Sequence, residues 1–381
     1  MIRMNRSFGS FCRVLLLLLA AALFPAGAEA HAAASSAGRA EDTAAQEIAE
    51  EEPDVKRIVL GHVGDSYEWH IATAGGREWS LPLPVIVHSP SSGWHCFSAK
   101  RLRGGAEYEG LRIAADGDHA GKIVERQADG SDLRPLDLSI TKTVAGLLLN
   151  SALVVALVLG AARWYRGRKP DAAAPRGVVG LFETLVESLV DDLIEPCVGP
   201  SYRRFAPYLL TVFCFIFLNN LMGLIPFFPG GANVTGNIAV ALVLAVAAFL
   251  VVNLSGSRHY WKDIFWPDVP TWLKVPVPII PLIELVGVFT KPFALMIRLF
   301  ANMLAGHAVI LSLTCVVFVT VKMGAAVNAS MTALSVLFSI FMNCLELLVA
   351  FLQAYVFTML SAVFIGLAQE RGGEADAGAE K

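Results

Sequence analysis

The sequence carries little charge, and several chemical motifs are missing from it. Only 17% of its 381 residues are charged, and the formal net charge is −3. A balance this small does not favour nucleic acid or a strongly acidic molecule as a partner. The chain also lacks a GxxxxGK[ST] phosphate-binding loop, a recognisable metal-ligand spacing and a nucleophile elbow. We therefore expect no nucleotide, metal or other cofactor to bind this chain itself.

Cysteine is scarce as well, with six residues in the whole chain. Cys12 precedes a short N-terminal apolar run, and Cys96 lies in a region that we expect to be exported. In that region Cys96 has no local disulfide partner. The other four lie in or near apolar segments, and we interpret them as packing residues: Cys197, Cys214, Cys315 and Cys344.

Apolar residues, in contrast, make up 55% of the chain and are grouped into runs. This grouping indicates that most of the chain lies in lipid. Near the N-terminus, basic residues precede the apolar run 14–24, and small residues follow it at 25–32. The pattern predicts a signal peptide over residues 1–30, with cleavage after Ala30. A first transmembrane helix is the alternative, but the apolar run is short for one.

The region that follows has a different character. Residues 31–52 are rich in Ala and Glu and predict a flexible linker. Residues 53–138 contain short β-type runs separated by Gly, Pro, Asp and Ser, which predict a small, exported, mostly β domain. This domain holds the histidines His62, His70, His88, His95 and His119. No pair of them has a metal-ligand spacing, so we interpret them as surface or packing residues, with metal binding as the alternative.

Residues 139–368 carry five apolar segments long enough to cross a bilayer. The segments lie at about 143–162, 207–228, 235–255, 277–320 and 331–368. Basic residues follow the first segment at once, which places that end and the polar tail 369–381 in the cytoplasm. The last two segments are longer than an upright span needs, and neither Gly nor Pro interrupts 331–365. We predict an all-α polytopic membrane protein with five transmembrane segments, the last two being long tilted helices, preceded by the β domain.

Residues 178–195, between the first two segments, predict an amphipathic helix. Apolar residues recur there at steps of three and four. The acidic residues Glu183, Glu187, Asp191 and Glu195 mark the other face. An acidic face is unusual for a helix that lies on anionic lipid. Its apolar face can contact lipid, a partner protein or the rest of this chain.

Ionisable residues at bilayer depth give the strongest functional signal. A charge at that depth costs roughly 3 kcal/mol on insertion scales, so it is kept only with a partner or a role. Glu284, Lys291 and Arg298 follow one another at intervals of seven, which places them on one stripe of a helix with about 20° of drift per step. Asn302, one turn beyond Arg298, joins that stripe.

Three further polar residues lie on other faces. His307 is nine residues beyond Arg298 and therefore points about 180° away from it. Glu346 and Gln353 of the last segment are seven apart and share one face. Such groups can relay protons where they meet water. Two structural alternatives stay open at this point, namely that Lys291 snorkels to the interface and that Arg298 forms a structural ion pair.

Residues 298–307 (RLFANMLAGH) resemble the signature of subunit a of the F-type ATP synthase membrane sector. The resemblance covers roughly residues 140–368, and its further motifs lie at 281–307, 342–360, 215–226 and 233–242. The β domain is longer than the region that most members of the family carry before the first span. It resembles an extension found in some bacterial members.

The resemblance implies a stator that lies against a rotating ring of c subunits, each with one buried carboxyl. Arg298 would be the essential arginine facing that ring. The residues implied to line two proton half-channels are Asn302, His307, Glu346 and Gln353, with Glu284 at the polar end of its span. Implied partners are the c-ring, b-type peripheral-stalk subunits, lipid and, indirectly, the F1 sector. ATP would be made elsewhere in the complex, and the chain would lie in the bacterial inner membrane with its β domain in the periplasm.

Two other classes of protein were weighed against this resemblance. A secondary proton or sodium antiporter could use Arg298 and Glu346 at its substrate site. Such folds usually contain internal repeats. The five segments of this chain show no repeat, and their number is odd. A receptor or assembly factor with a periplasmic β sensor would not need several polar groups at bilayer depth.

Overall fold

The structure is a computed structural model. It describes residues 64–74, 77–114, 119–127, 131–166, 175–225, 230–266 and 279–369. The predicted signal peptide, the predicted linker and the polar tail from residue 370 lie outside the described residues. His62 and the side chain of His70 also lie outside them, so the predictions for these two histidines are not addressed by the structure.

The first part of the described chain consists of short antiparallel strands. Their bounds are β1 Glu68–Ala74, β2 Arg77–Pro82, β3 Pro84–Ser89, β4 Gly93–Ser98, β5 Leu111–Ile113, β6 Ile123–Arg126, β7 Asp132–Leu133 and β8 Leu136–Asp137. β1 pairs with β2, β3 lies between β4 and β8, and β6 lies between β5 and β7. The predicted small β domain is therefore confirmed.

The core of this domain follows from alternation along β3. Successive side chains of a strand point to opposite faces, and Val85 and Val87 are completely buried on the inner one. They pack with Leu102 from a 3-10 helix, with Leu111 of β5 and with Ile123 of β6. The second and third sheets thus share one apolar core.

Helices make up the rest of the described chain. Their bounds are α1 Lys142–Tyr165, α2 Val178–Leu189, α3 Glu195–Val198, α4 Tyr202–Leu224, α5 Ile238–Leu254, α6 Arg258–Phe265, α7 Ile279–Thr320 and α8 Ala325–Gln369. Within the described ranges, four segments are long and apolar enough to cross a membrane: 142–165, 178–224, 281–320 and 325–369. The third predicted span, at about 235–255, corresponds to α5, which has 17 residues and bends by 103° into α6. The chain is a multi-pass helical membrane protein.

The last two helices are long and continuous, as the sequence predicts. α7 has 42 residues and α8 has 45. At about 1.5 Å per residue they are roughly 63 and 68 Å long, about twice the 30 Å of a hydrocarbon core. α7 continues through Pro292 without a break. The two long helices are confirmed, whereas their tilt in the bilayer stays a prediction.

α4 lies at the centre of the membrane domain. Leu209, Phe213 and Ile216 of this helix have no exposed surface. They belong to a core cluster that also contains Ala354 and Phe357 of α8. Small and aromatic residues therefore hold α8 against α4, as packing in a bilayer requires.

The predicted amphipathic helix exists and contacts the rest of this chain. Leu189 at the end of α2 and Leu193 in the π-helical turn that follows it are buried in the same core cluster. The acidic residues Glu187, Asp191 and Glu195 are exposed. Among the three contacts that the sequence left open, the structure shows the one within the chain.

Candidate functional site

The predicted polar stripe lies on one exposed face of α7. An adjoining face of the helix is buried against neighbouring helices through Val288, Leu295 and Leu299. The seven-residue spacing keeps the polar residues off that buried face. All four members of the stripe are exposed in this chain: Glu284, Lys291, Arg298 and Asn302.

Arg298 has no partner among the residues that the structure describes. The ion pairs within these residues do not include it, and neither do the hydrogen bonds. The alternative of a structural Arg–Glu pair thus finds no support in the described part of the chain. Because a guanidinium at bilayer depth is costly when it faces lipid, we expect Arg298 to have a polar partner outside the described residues.

His307 and Glu346 meet on the other side of α7. Nδ1 of His307 lies 2.7 Å from Oε1 of Glu346, which is only 5% exposed. The contact has the distance of an ion pair but not the geometry of a hydrogen bond, since neither carboxylate oxygen has a hydrogen-bond partner among the described residues. The carboxylate of Glu346 thus lies beside the imidazole, and both of its oxygens can still accept a hydrogen bond.

Two backbone carbonyls hold the imidazole of His307. Nδ1 lies 3.1 Å from the carbonyl oxygen of Met303, and Nε2 lies 3.1 Å from that of Gly223 at the end of α4. A neutral imidazole can donate to only one of these oxygens, whereas an imidazolium can donate to both. The site can therefore accommodate a proton that His307 accepts and later returns.

Gly306 permits the close approach of Glu346 to α7. A Cβ atom at this position would lie 2.8 Å from Oε1 and 3.0 Å from Cδ of Glu346. A Cβ atom does not approach another heavy atom so closely, so a side chain here would displace the carboxylate. The sequence analysis did not single out Gly306, although it stands directly before His307.

Gln353 lies on the same buried face of α8 as Glu346 and is 8% exposed. Beside them is a polar cluster that the sequence analysis did not identify. Asn220 of α4 donates to the carbonyl oxygen of Ala350 at 3.2 Å and accepts from the hydroxyl of Thr235 at 2.6 Å. Two adjacent asparagines inside the apolar segment 207–228 were the available signal. The hydrogen bonds of Asn220 join α4 to α8 and to the loop after α4.

A similar polar contact joins α1 to α4. Asn150 of α1 is 2% exposed and donates to the side-chain oxygen of Asn219 at 2.9 Å. Asn219 in turn donates to the carbonyl oxygen of Phe215 at 2.8 Å. In lipid, buried amides of this kind gain by bonding across helices. We interpret this pair as structural.

Lys291 borders a small cavity near the opposite end of α7. Its ammonium lies 5.5 Å from the centre of the Phe364 ring, within reach of a cation–π contact. The cavity, of about 30 Å³, is also lined by Asn253 and Tyr260. The side chain is exposed, a position that is compatible with snorkelling toward the interface.

Two described histidines of the β domain, His88 and His95, have local side-chain partners. The ring of His88 lies 4.8 Å from that of Trp94. Nε2 of His95 is 2.7 Å from the hydroxyl of Ser92, and its Nδ1 contacts Glu109. The hydrogen bond from His95 lowers the pKa of Glu109 below its usual value. Among the described residues, no group of three or more His, Cys, Asp or Glu could hold a metal ion.

The fold and the site together define a helical membrane protein with ionisable side chains at bilayer depth, one set exposed on α7 and one set buried between α7 and α8. The family model "ATP synthase A chain" matches residues 148–366, more than half of the chain. The chain therefore belongs to the ATP synthase A chain family. A second family model, a domain of unknown function named DUF8433, matches residues 58–138.

Curated relatives agree with the family. The chain is 46% identical to ATP synthase subunit a 2 of Chlorobaculum tepidum over 61% of this chain and 64% of that protein. It is 44% identical to ATP synthase subunit a of Chlorobium phaeobacteroides strain DSM 266 over 63% and 68%, respectively. It is 34% identical to ATP synthase subunit a of Anaeromyxobacter dehalogenans over 82% and 80%. The match to the Chlorobaculum protein thus spans less than two thirds of that protein.

Proposed function

We propose that this chain is the proton-conducting stator subunit of an F-type ATP synthase, with Arg298 as the residue that faces the ring of c subunits. Membership in the ATP synthase A chain family supports the setting. The observation that carries the proposal is that Arg298 is exposed in the middle of the largely apolar α7 and has no partner among the described residues. A ring of small subunits with intramembrane carboxyls is the partner that such a surface fits.

The chemistry of Arg298 follows from its fixed charge. A cation beside an approaching ring carboxyl favours the ionised form, so the carboxyl releases its proton there. Arginine suits this step better than lysine because its guanidinium does not lose its charge in proteins. The same cation also repels protons that would otherwise pass directly between the two access routes.

The remaining site residues fall on two sides of Arg298. His307 contacts Gly223 at the end of α4 that the positive-inside rule places outside. We assign His307, Glu346 and Gln353, together with Asn302 one turn from Arg298, to the outer route. Glu284 lies fourteen residues before Arg298, toward the inner end of α7, and we assign it to the inner route.

In this proposal a proton from the outer side binds at Glu346, whose oxygens have no hydrogen-bond partner among the described residues. His307 takes it up, since the imidazolium can donate to the carbonyls of Met303 and Gly223. The proton then reaches a ring carboxyl near Arg298 and leaves by the inner route after rotation. The membrane potential contributes about 2.3 kcal/mol per elementary charge per 100 mV to this passage.

The assembly implied by the family places this chain beside the c-ring and b-type peripheral-stalk subunits, with the F1 sector contacted indirectly. Its location would be the bacterial inner membrane, with the β domain in the periplasm and the C-terminus in the cytoplasm. The basic residues after α1, including Arg163 and Arg166, support that orientation. ATP would bind to other subunits, and this chain would need no cofactor.

The test is ATP-driven proton pumping in inverted membrane vesicles from cells that carry Arg298→Ala. We expect pumping to be lost while the complex still co-purifies intact. Lys291→Ala is the matched control, because Lys291 is a second exposed cation on the same stripe of α7. Pumping at the wild-type rate in the assembled Arg298→Ala complex would refute the proposed role of the arginine.

A second arm separates the stator from the antiporter. The purified chain alone, in liposomes with a proton or sodium gradient, should exchange neither ion, since the stator conducts only against its ring. Cation exchange by the isolated chain would instead support the antiporter. No described feature of the structure favours the antiporter at present.

A further inference from the structure

We propose that the β domain holds the outer loop, defined as residues 230–237, through Trp69, and that this loop positions His307 for proton transfer. Trp69 is thus a positioning residue for a step carried out some distance away. The inference rests on the proposed proton-conducting function. It gives a role to a domain whose matching family model has no known function.

The first contact joins the β domain to the outer loop. Trp69 of β1 is 3% exposed, and its indole N–H donates to the carbonyl oxygen of Gly230 at 3.3 Å. Its ring packs with Ala232 and Val234, which are 4% and 0% exposed. A tryptophan that is both buried and hydrogen-bonded at an interface is an effective anchor.

The β domain itself is tied to the start of α1. Asp65 accepts a hydrogen bond from the backbone N–H of Thr143 at 3.0 Å, and the carbonyl oxygen of Ser66 accepts from the N–H of Lys142 at 2.8 Å. These bonds satisfy amides of the first helical turn, which otherwise have no partner within the helix. The segment just before β1, the strand that carries Trp69, is therefore fixed to the start of α1 in the membrane domain.

α1 also meets the anchor directly. A Cβ atom on Gly146 would lie 2.6 Å from Cβ of Ala232 and 4.0 Å from the ring of Trp69. Only glycine lets α1, the outer loop and Trp69 approach one another so closely. The three elements are therefore packed as one unit on the outer side of the membrane domain.

The far side of the outer loop reaches the carbonyl groups that hold His307. The side-chain N–H of Asn233 donates to the carbonyl oxygen of Met303 at 3.3 Å, the same oxygen that lies 3.1 Å from Nδ1 of His307. Gly223, whose carbonyl oxygen faces Nε2, lies against the backbone of Ala232 and Asn233. The Met303 oxygen thus accepts a hydrogen bond from the outer loop, and the residue that carries the second oxygen, Gly223, packs against the loop.

A displaced outer loop would change this arrangement without touching any group that carries the proton. Glu346 of α8 is the ionisable residue that faces His307, whereas α4 and the outer loop contribute uncharged groups. Moving the loop frees the Met303 oxygen from Asn233 and lets the imidazole rotate. The protonation balance between His307 and Glu346 should then change, and proton transfer should depend on pH in a different way.

The experiment uses the whole complex and two matched tryptophan substitutions. Trp69→Phe keeps an aromatic ring but removes the N–H that bonds Gly230. Trp94→Phe is the control, because Trp94 belongs to the same domain and is 62% exposed. Passive proton conduction is measured in inverted vesicles stripped of F1, over a series of pH values in the lumen, which corresponds to the outer side.

We expect Trp69→Phe to reduce conduction about fivefold at neutral pH, as the loss of one hydrogen bond suggests, and to shift the pH midpoint. Trp94→Phe should leave both unchanged. A uniform fall at every pH with the midpoint in place would mean a structural effect only and would overturn the inference. So would a wild-type rate and midpoint in the Trp69→Phe complex.

Two further variants keep the outcome decisive. If the complex that carries Trp69→Ala fails to assemble, the Trp69→Phe complex still tests the inference. Asn233→Ala, which removes the contact with Met303, should shift the pH midpoint in the same direction as Trp69→Phe, and a shift in the opposite direction would contradict a common pathway. Loss of pumping in Arg298→Ala together with unchanged behaviour of Trp69→Phe would overturn this inference alone and leave the proposed function intact.

Discussion

Two polar regions of the membrane domain are only a few helical turns apart on α7, yet they differ in what completes them. Arg298 and its stripe are exposed and have no partner among the described residues. His307 and Glu346 are packed against each other and against two backbone carbonyls of the same chain. The first region lacks a partner within the described residues, whereas the second is already assembled from groups of this chain. The proposed stator function needs both, because one region would contact the rotating ring and the other would have to keep its geometry while the ring moves.

The largest effect is expected from a change that leaves the charge of the exposed region in place. Arg298→Lys keeps a cation, but an ammonium in a low-dielectric setting can give up its proton, unlike a guanidinium. We expect pumping to fall to near background in an assembled complex, as in Arg298→Ala. Lys291→Arg, at the other cation of the stripe, should pump normally. Substantial pumping by Arg298→Lys would show that any positive charge suffices. It would contradict the expectation that the cation must be one that cannot lose its proton.

The next prediction breaks the assembled region. Glu346→Gln removes the ionisable carboxyl beside His307 and should lower proton pumping by about a hundredfold, the usual scale for a lost acid–base group. Glu187→Gln, at an exposed carboxyl on α2, should have no effect. The measurement is the initial rate of ATP-driven acidification of inverted vesicles, normalised to the amount of complex. An equal effect of both variants would indicate that the loss does not come from the site.

Exchanging the two groups tests whether this region is self-contained. His307→Glu and Glu346→His should each impair pumping, while the double variant should recover a large part of it, because the pair keeps one imidazole and one carboxyl in contact. Coupling of this kind is expected for residues that touch and is measured by a double-mutant cycle. Losses that simply add would mean that the two residues act separately.

Gly306→Ala is expected to have a smaller effect and tests the packing of the same region. The added Cβ would lie 2.8 Å from Glu346 Oε1, so the carboxylate has to move away from α7. We expect pumping to fall about tenfold, since small misplacements in a reactive site are costly. Gly287→Ala is the matched control on the same helix, because a Cβ there meets no atom within 4 Å. Similar losses in both variants would point to a general effect of alanine on α7.

The sequence predicted the parts of this comparison that depend on periodicity. Intervals of seven placed Glu284, Lys291 and Arg298 on one face, and the nine-residue step to His307 placed it on another. Both placements match the structure, since the first three are exposed and His307 is half-buried against α4 and α8. Helical geometry is local, so it can be read from spacing alone.

The contacts between distant segments could not be predicted in this way. The pairing of His307 with Gly223, 84 positions away, depends on how α4 packs against α7. The same holds for Trp69 and Gly230, 161 positions apart. Neither spacing nor composition specifies which carbonyl oxygen a side chain will reach. Gly306 and Gly146 were missed for the same reason, because a glycine that permits a close approach is recognised only when the opposing atom is known.

The smallest expected effect concerns a buried carboxyl outside the membrane, which is a counterpart to Glu346. Glu125 of β6 is 8% exposed, but it accepts a hydrogen bond from Ser89 at 2.6 Å and another from Ser91. The bond from Ser89, and after it the bond from Ser91, lower the pKa of Glu125 below its usual value. A carboxylate with two such donors is held in its ionised form, whereas the oxygens of Glu346 have no hydrogen-bond partner among the described residues.

The stability that Glu125 contributes should therefore depend on pH in a defined direction. Because its folded-state pKa is lowered, the contribution is complete above the pKa of an unfolded glutamate and is lost as pH falls through the lower folded value. We expect Glu125→Gln to make the β domain easier to cleave with pepsin near pH 5, and this difference from wild type should shrink toward about pH 3. Glu107→Gln, at an exposed carboxyl of the same domain, serves as the control. A difference that stays constant over this range would mean that Glu125 contributes through packing rather than through its charge, and the contrast with Glu346 would then rest on the membrane site alone.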